Sequence, residues 1–204
     1  MRRQLIDAGP SMPGRQIFDK AALEKAFAEL GKRAQAAGKT IEISIYGGSA
    51  LILTFDQRPN TRDVDGVFEK DKEFVRAMAI DLANEYGWDH GWLNDGVKGW
   101  LSVVDSQPEA KALFKSYPSE SEPGLQVSLA KPEYLFAMKC RAMRTDAASS
   151  DIDDIKLLAG QLGLTNSEDA LALVAKFYPH NVLEPKTKFG LEEIFSYIDW
   201  GRKR

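Results

Sequence analysis

Residues 40–68 constrain the fold more than any other stretch. "TIEISIYGGSALILTF" (40–55) changes its hydrophobic rhythm at two glycines. Before them, Ile41, Ile43 and Ile45 alternate with polar residues, which predicts a half-buried strand over 40–47. After them, "SALILTF" (49–55) is continuously apolar and reads as a short helix laid on a sheet, although a buried strand has the same pattern. "QRPN" (57–60) is a loop with Pro59 as breaker, and "DVDGVF" (63–68) is a second strand. Strand, short helix and strand in so few residues require a sheet with helices packed on it.

The rest of the chain extends that plan. Asp19 can cap a helix over 20–37, with Leu23, Phe27, Leu30 and Ala34 on one stripe and Gly38 ending it. Phe74, Met78 and Leu82 define a helix over 70–87, closed by Gly87. Residues 88–100 are rich in Gly and Trp and read as irregular, and "LQVSLA" (125–130) is a third strand. Pro132 suits a first helical turn, and helices are expected near 131–145, 149–163, 167–178 and 190–200. The fold class is therefore α+β: an α/β lobe over 1–130 with a small mixed sheet flanked by helices, then a helical C-terminal lobe over 131–204.

Composition bounds what such a chain does. It has 204 residues, 44% hydrophobic and 28% charged, which is a globular balance. A formal net charge of -3 argues against nucleic-acid binding through the whole surface and leaves a local basic site open. The single cysteine, Cys140, excludes an internal disulfide and reads as a core residue, so a reducing cytoplasm is the simplest location. The N-terminus "MRRQLIDAGPSMPG" has no apolar segment after its basic residues, so it is read as a loose arm and not as a signal peptide. No run reaches the roughly 18 apolar residues of a membrane span.

The chemistry centres on Asp63 and Asp65. Residues i and i+2 of a strand share a face, with backbones roughly 6.5–7 Å apart. Two like charges there are costly unless water or a cation takes them up. Mg²⁺ is the natural cation, because it takes few carboxylates and completes its shell with water and phosphate oxygens. Gly47, Gly48 and Ser49 are the second element. Glycines at a strand-to-helix turn admit a ligand to the backbone, and the helix N-terminus favours phosphate. Ser49 is either a further donor or an ordinary helix cap. No Gly-Lys-[Ser/Thr] follows, so this is not a P-loop, nor is it a G-x-G-x-x-G fingerprint.

Together, "YGGSALIL" and "TRDVDGVF" resemble the nucleotidyltransferase superfamily, with its polymerase-β-like fold. Within it they are similar to the branch of AbiE-type and MenT-type toxins and their uncharacterised relatives. "WLNDGVKGWL" (92–101) and "YLFAMKCRAMR…SSDIDDIKLL" (134–158) resemble later blocks of that branch, so the likeness runs over about residues 40–160. It implies Mg²⁺-dependent transfer of a nucleotidyl group from an NTP. Gly47, Gly48 and Ser49 would hold the triphosphate, Asp63 and Asp65 the metal, and Lys139 the nucleotide phosphates. Asp154, with Asp151 beside it, would match the family's acidic residue. The acceptor implied for a toxin is RNA, above all the 3′ end of tRNA, and the partner an antitoxin protein.

Lys139 is notable without the resemblance. It lies on an otherwise apolar stripe with Leu135 and Met143, so it either snorkels to the rim or points into a polar cleft. Asp151, Asp153 and Asp154 open the next helix, where carboxylates also favour the dipole. One departure matters: many superfamily members carry a third carboxylate on a later strand, and 125–130 offers only Ser128. The base is then Asp154 or Asp95, or Mg²⁺ alone activates the acceptor. The same gap fits a degenerate module that binds a nucleotide or a partner protein. The net negative charge fits a small-molecule or protein acceptor. Trp88, Trp92 and Trp100 either wall a nucleotide cleft or pack the core. His90 and His180 read as ordinary loop residues, and the basic end 201–204 as a tail.

Overall fold

A computed structural model describes residues 16–55, 57–144, 150–179 and 183–197. The arm before residue 16, His180 and the basic end 201–204 lie outside the described residues.

The first helix, α1 (Lys20–Ala36), is capped by Asp19, whose carboxylate accepts from the Ala22 N–H at 2.8 Å. Strand β1 (Ile41–Ile45) leads into α2 (Gly47–Thr54), and β2 (Val64–Val67) returns antiparallel to β1. Next come α3 (Lys72–Tyr86), the two-residue β3 (Leu93–Asn94) and a 3₁₀ turn, Gly96–Trp100. A hairpin of β4 (Lys111–Pro118) and β5 (Pro123–Ala130) completes the sheet. Four helices follow: α4 (Pro132–Ala142), α5 (Asp151–Gln161), α6 (Ser167–Phe177) and α7 (Pro185–Tyr197). The fold is a mixed sheet of order β3-β2-β1-β5-β4 flanked by helices, with a helical C-terminal part.

The sheet puts the alternation of β1 to use. Ile41, Ile43 and Ile45 are buried, and on the parallel neighbour β5 so are Leu125, Val127 and Leu129. Helix α1 buries Leu23, Phe27 and Leu30 in the same apolar cluster. Ser44 and Ser128 pair on the opposite face and are half-buried. The expected boundary at 130/131 falls between β5 and α4. The apolar cluster runs on through Leu135, Phe136, Leu158, Val174 and Leu191 of the C-terminal helices.

Several expected bounds shift. Helix α2 starts on the glycines, not after them, and Asp63 lies just before β2. Helix α7 begins at Pro185, five residues' span ahead of the expected 190, because Pro185 opens its first turn. Residues 88–100 are not wholly irregular, since they contain β3 and the 3₁₀ turn. Strand β4 is additional to the expected strands. It is an edge strand, mostly exposed along Lys111–Lys115, with a register shift between Leu113 and Lys115, so it carries no period-two signal.

The tryptophans separate by role. Trp92 is fully buried and its indole N–H donates to the Ala79 carbonyl at 2.9 Å. Trp88 packs on Tyr86, Phe18 and Trp92. Trp100 is 38% exposed. Accordingly Trp92→Ala is expected to cost about 3–5 kcal/mol in chemical denaturation, and Trp100→Ala less than about 1 kcal/mol. Equal losses would contradict this division.

Candidate functional site

The two glycines are explained by what lies against them. Gly47 has φ +59°, and a Cβ on it would stand 2.4 Å from Asp65 Oδ2. A Cβ on Gly48 would stand 2.8 Å from an Arg58 guanidinium nitrogen and 2.9 Å from Thr61 Oγ1. Gly47 thus admits Asp65, and Gly48 admits Arg58 and Thr61, against the start of α2. The backbone closes the same joint: Tyr46 N–H donates to the Asp65 carbonyl at 2.9 Å, and the buried Ser49 hydroxyl to the Asp63 carbonyl at 2.8 Å. The first intrahelical bond of α2 runs from Ala50 N–H to Tyr46 O, so the N–H groups ahead of it have no use inside the helix.

Asp65 is half-buried and Asp63 exposed. Burial, together with the neighbouring Asp63 charge and against the pull of Lys139, pushes the Asp65 carboxyl up to about 6. Among the described residues, no hydrogen bond or ion pair engages either carboxylate. Nor does any group of three or more His, Cys, Asp or Glu side chains there share a metal-sized space.

Facing it, α4 and α5 supply charge of both signs. Lys139 points into a polar cleft, with Nζ 3.0 Å from Asp151 Oδ1 and 2.8 Å from Asp154 Oδ2. The second contact is close but poorly angled for a hydrogen bond. Asp154 Oδ1 pairs with the Arg58 guanidinium, and Asp151 Oδ2 accepts from Arg144 Nε at 3.1 Å. Asp151 and Asp154 are buried in the first turn of α5, where the helix dipole favours them. Arg141, by contrast, lies over the Trp100 and Tyr178 rings and donates to the Trp100 carbonyl.

Two clefts meet at this network. One, of about 370 Å³, has Val97, Trp100, Leu135 and Met138 on its walls. The other, of about 910 Å³, is walled by Gly48, Arg58, Thr61, Arg62, Asp63 and Ser150. Asp65, Lys139, Arg144 and Asp151 line both. An apolar slot thus opens into a charged trough at the Asp65–Lys139 pair.

The structure therefore brings together Gly47, Gly48, Asp63, Asp65, Lys139 and Asp154, with Ser49 beneath them tying down Asp63. Asp95 is held elsewhere by Lys98 and Arg76, with Lys98 keeping its carboxyl below the usual range. Cys140 is buried, and burial pushes its thiol up. Two features of the site carry no signal in the sequence. Arg58 lies in a loop where a lone arginine is unremarkable, and only its contact with Gly48 and Asp154 marks it. Asp105 accepts from the Tyr46 hydroxyl at 2.7 Å and from Lys111 at 2.8 Å, anchoring the residue before Gly47. No sequence spacing links those three.

No family model matches the chain, and no curated protein is significantly similar to it. Among solved structures it is similar to an antigenic nucleotidyltransferase-like protein from Paracoccidioides brasiliensis. Identity is 17%, the match covers 80% of this chain and 92% of that one, and the TM-score is 0.45. A likeness that distant carries no argument about the site, which stands on its own geometry. No helix among the described residues is long and apolar enough to cross a membrane.

The raised Asp65 carboxyl has a stability consequence. A group whose folded pKa is about 6 against an ordinary 3.8 binds its proton more tightly when folded. Its contribution is thus favourable below about 3.8 and lost as pH rises to about 6. In EDTA, Asp65→Asn is expected to gain stability over the parent by roughly 2–3 kcal/mol at pH 7.5, and the gain should vanish near pH 4. A gain independent of pH in paired denaturation curves would contradict the assignment.

Proposed function

We propose that the protein is a Mg²⁺-dependent nucleotidyltransferase that moves a nucleotidyl group from an NTP to an acceptor hydroxyl. The observation that carries this reading is the junction of the apolar slot and the charged trough at Asp65 and Lys139. An NTP has the same two-part chemistry: a flat, weakly polar base and a polyanionic tail joined at the α-phosphate. Trp100, Val97 and Met138 suit the base. The α2 N-terminus at Gly48 and the Lys139 ammonium suit the phosphates.

The residues fit a divalent cation. Asp65 is half-buried and raised, its carboxylate without a partner among the described residues, beside a second carboxylate in Asp63. Two carboxylates plus water and phosphate oxygens make a set suited to Mg²⁺. When bound, Mg²⁺ would supply positive charge to the α-phosphate and to the attacking and leaving oxygens.

In the reaction, Lys139 orients the α-phosphate while Asp151 and Asp154 fix the ammonium. The acceptor oxygen forms a bond to the α-phosphorus, and the bond from that phosphorus to the bridging oxygen breaks. The electron pair leaves with pyrophosphate, and the acceptor proton passes to water. Asp154 and Asp95 are both held in ion pairs, so we assign Asp154 a positioning role and neither the role of base.

The acceptor we propose is an RNA hydroxyl, as in transfer to the tRNA 3′ end by a toxin that an antitoxin protein restrains. The formal charge of -3 favours a second reading, with a small molecule or protein as acceptor. Incubation with each α-labelled NTP, Mg²⁺ and total cell extract separates these. Label is expected in RNA, and Asp63→Ala and Asp65→Ala are expected to lose at least about a hundredfold of it. Label confined to protein or small molecules would move the assignment to the second reading. Absence of label from every fraction, equal to the Asp variants, would reject transfer and leave a binding module.

A further inference from the structure

Arg58 is a strong cation of the charged trough that the sequence gives no reason to select. It reaches the start of α2 from the loop ahead of β2, and its side chain is 16% exposed. Gly48 lacks a Cβ where the guanidinium passes, at 2.8 Å from the position a Cβ would take. A guanidinium beside a helix N-terminus is of the wrong sign for the dipole. Asp154 compensates it, but Asp154 also serves Lys139, at 2.8 Å. Asp154 is thus shared by Arg58 and Lys139, and Lys139 is held by Asp151 as well.

The guanidinium is also incompletely used. It carries five N–H donors. Beyond the Asp154 pair, its contacts are long: 3.4 Å from Nε to the Asn60 carbonyl and 3.5 Å from Nη2 to the Ser150 hydroxyl. The same side chain walls the larger cleft alongside Gly48, Asp63 and Lys139. Shared compensation, spare donors and an open polar trough all call for an anion with several oxygens.

We infer that Arg58 binds the β- and γ-phosphates of the NTP, next to the α2 N-terminus in the trough that Asp63 also lines. This rests on the proposed transfer reaction and adds a residue to it. As the bond between the α-phosphorus and the bridging oxygen breaks, negative charge collects on the departing pyrophosphate. Arg58 meets that charge as a fixed cation, with no proton changing hands. The second glycine of "GGS" serves this arginine's path as much as the ligand's.

Calorimetric titration of inorganic tripolyphosphate with excess Mg²⁺ tests it on the full chain. Wild-type protein should bind. Arg58→Gln should bind about tenfold to a hundredfold more weakly. Arg58→Lys, which keeps a charge for Asp154 and hence the fold, should fall between them. The double variant Arg58→Gln/Asp154→Asn removes both ends of the ion pair, and its affinity should stay low. Wild-type affinity in both single variants would overturn the assignment of Arg58 and leave the transfer reading intact. Recovery of affinity in the double variant would also overturn it, by showing that the arginine only balances Asp154. No tripolyphosphate binding by the wild type would also overturn the assignment of Arg58, while the transfer reading stands or falls on the labelling experiment. If Arg58→Gln does not fold, the Arg58→Lys comparison decides.

Discussion

The site depends on one close fit: three side chains from the segment 58–65 lie where the first turn of α2 has no Cβ. Asp65 occupies the space at Gly47, and Arg58 with Thr61 the space at Gly48. Any larger residue at either position would push a charged group out of place. Because Gly47 also holds φ +59°, an alanine there would add backbone strain to the clash. The start of the helix and the approach to β2 are therefore one unit, closed by the Tyr46–Asp65 and Ser49–Asp63 bonds.

That unit joins the C-terminal helices through charge. Asp154 reaches back to Arg58 and across to Lys139, and Asp151 reaches Lys139 and Arg144. A buried ion pair gains little net stability over an apolar substitute, since desolvation offsets most of the attraction. What such a network does supply is position. It holds the Lys139 ammonium, on an otherwise buried helix face, at the mouth of both clefts. The sheet provides the rigid floor, and α4 and α5 provide a wall whose charges are already oriented when a ligand arrives.

Much of this was legible in the sequence, and the reasons it stops are physical. Period-two alternation located β1, because one face of that strand is buried and the other is not. The stripe of α1, its Asp19 cap and Gly87 after α3 were readable because local chemistry sets helix ends. Asp63, Asp65 and Lys139 were readable because charges in apolar surroundings need a partner. Strand β4 was not, since an exposed edge strand has no face to bury. Arg58 and Asp105 were not, because their partners are far along the chain, at Asp154 for the first and at Tyr46 for the second. The expectation that the glycines precede a helix missed that they form its first turn. A short apolar helix gives no signal for its starting residue.

At the centre is the proposed divalent-cation site of Asp63 and Asp65, where the apolar slot meets the charged trough. A crystal structure with Mn²⁺ and a non-hydrolysable NTP analogue, read in an anomalous-difference map, tests it most directly. The account predicts an anomalous peak bridging the two carboxylates and the analogue's phosphates, with Lys139 on the α-phosphate side. A peak elsewhere on the protein, or an analogue bound away from Asp65, would contradict it.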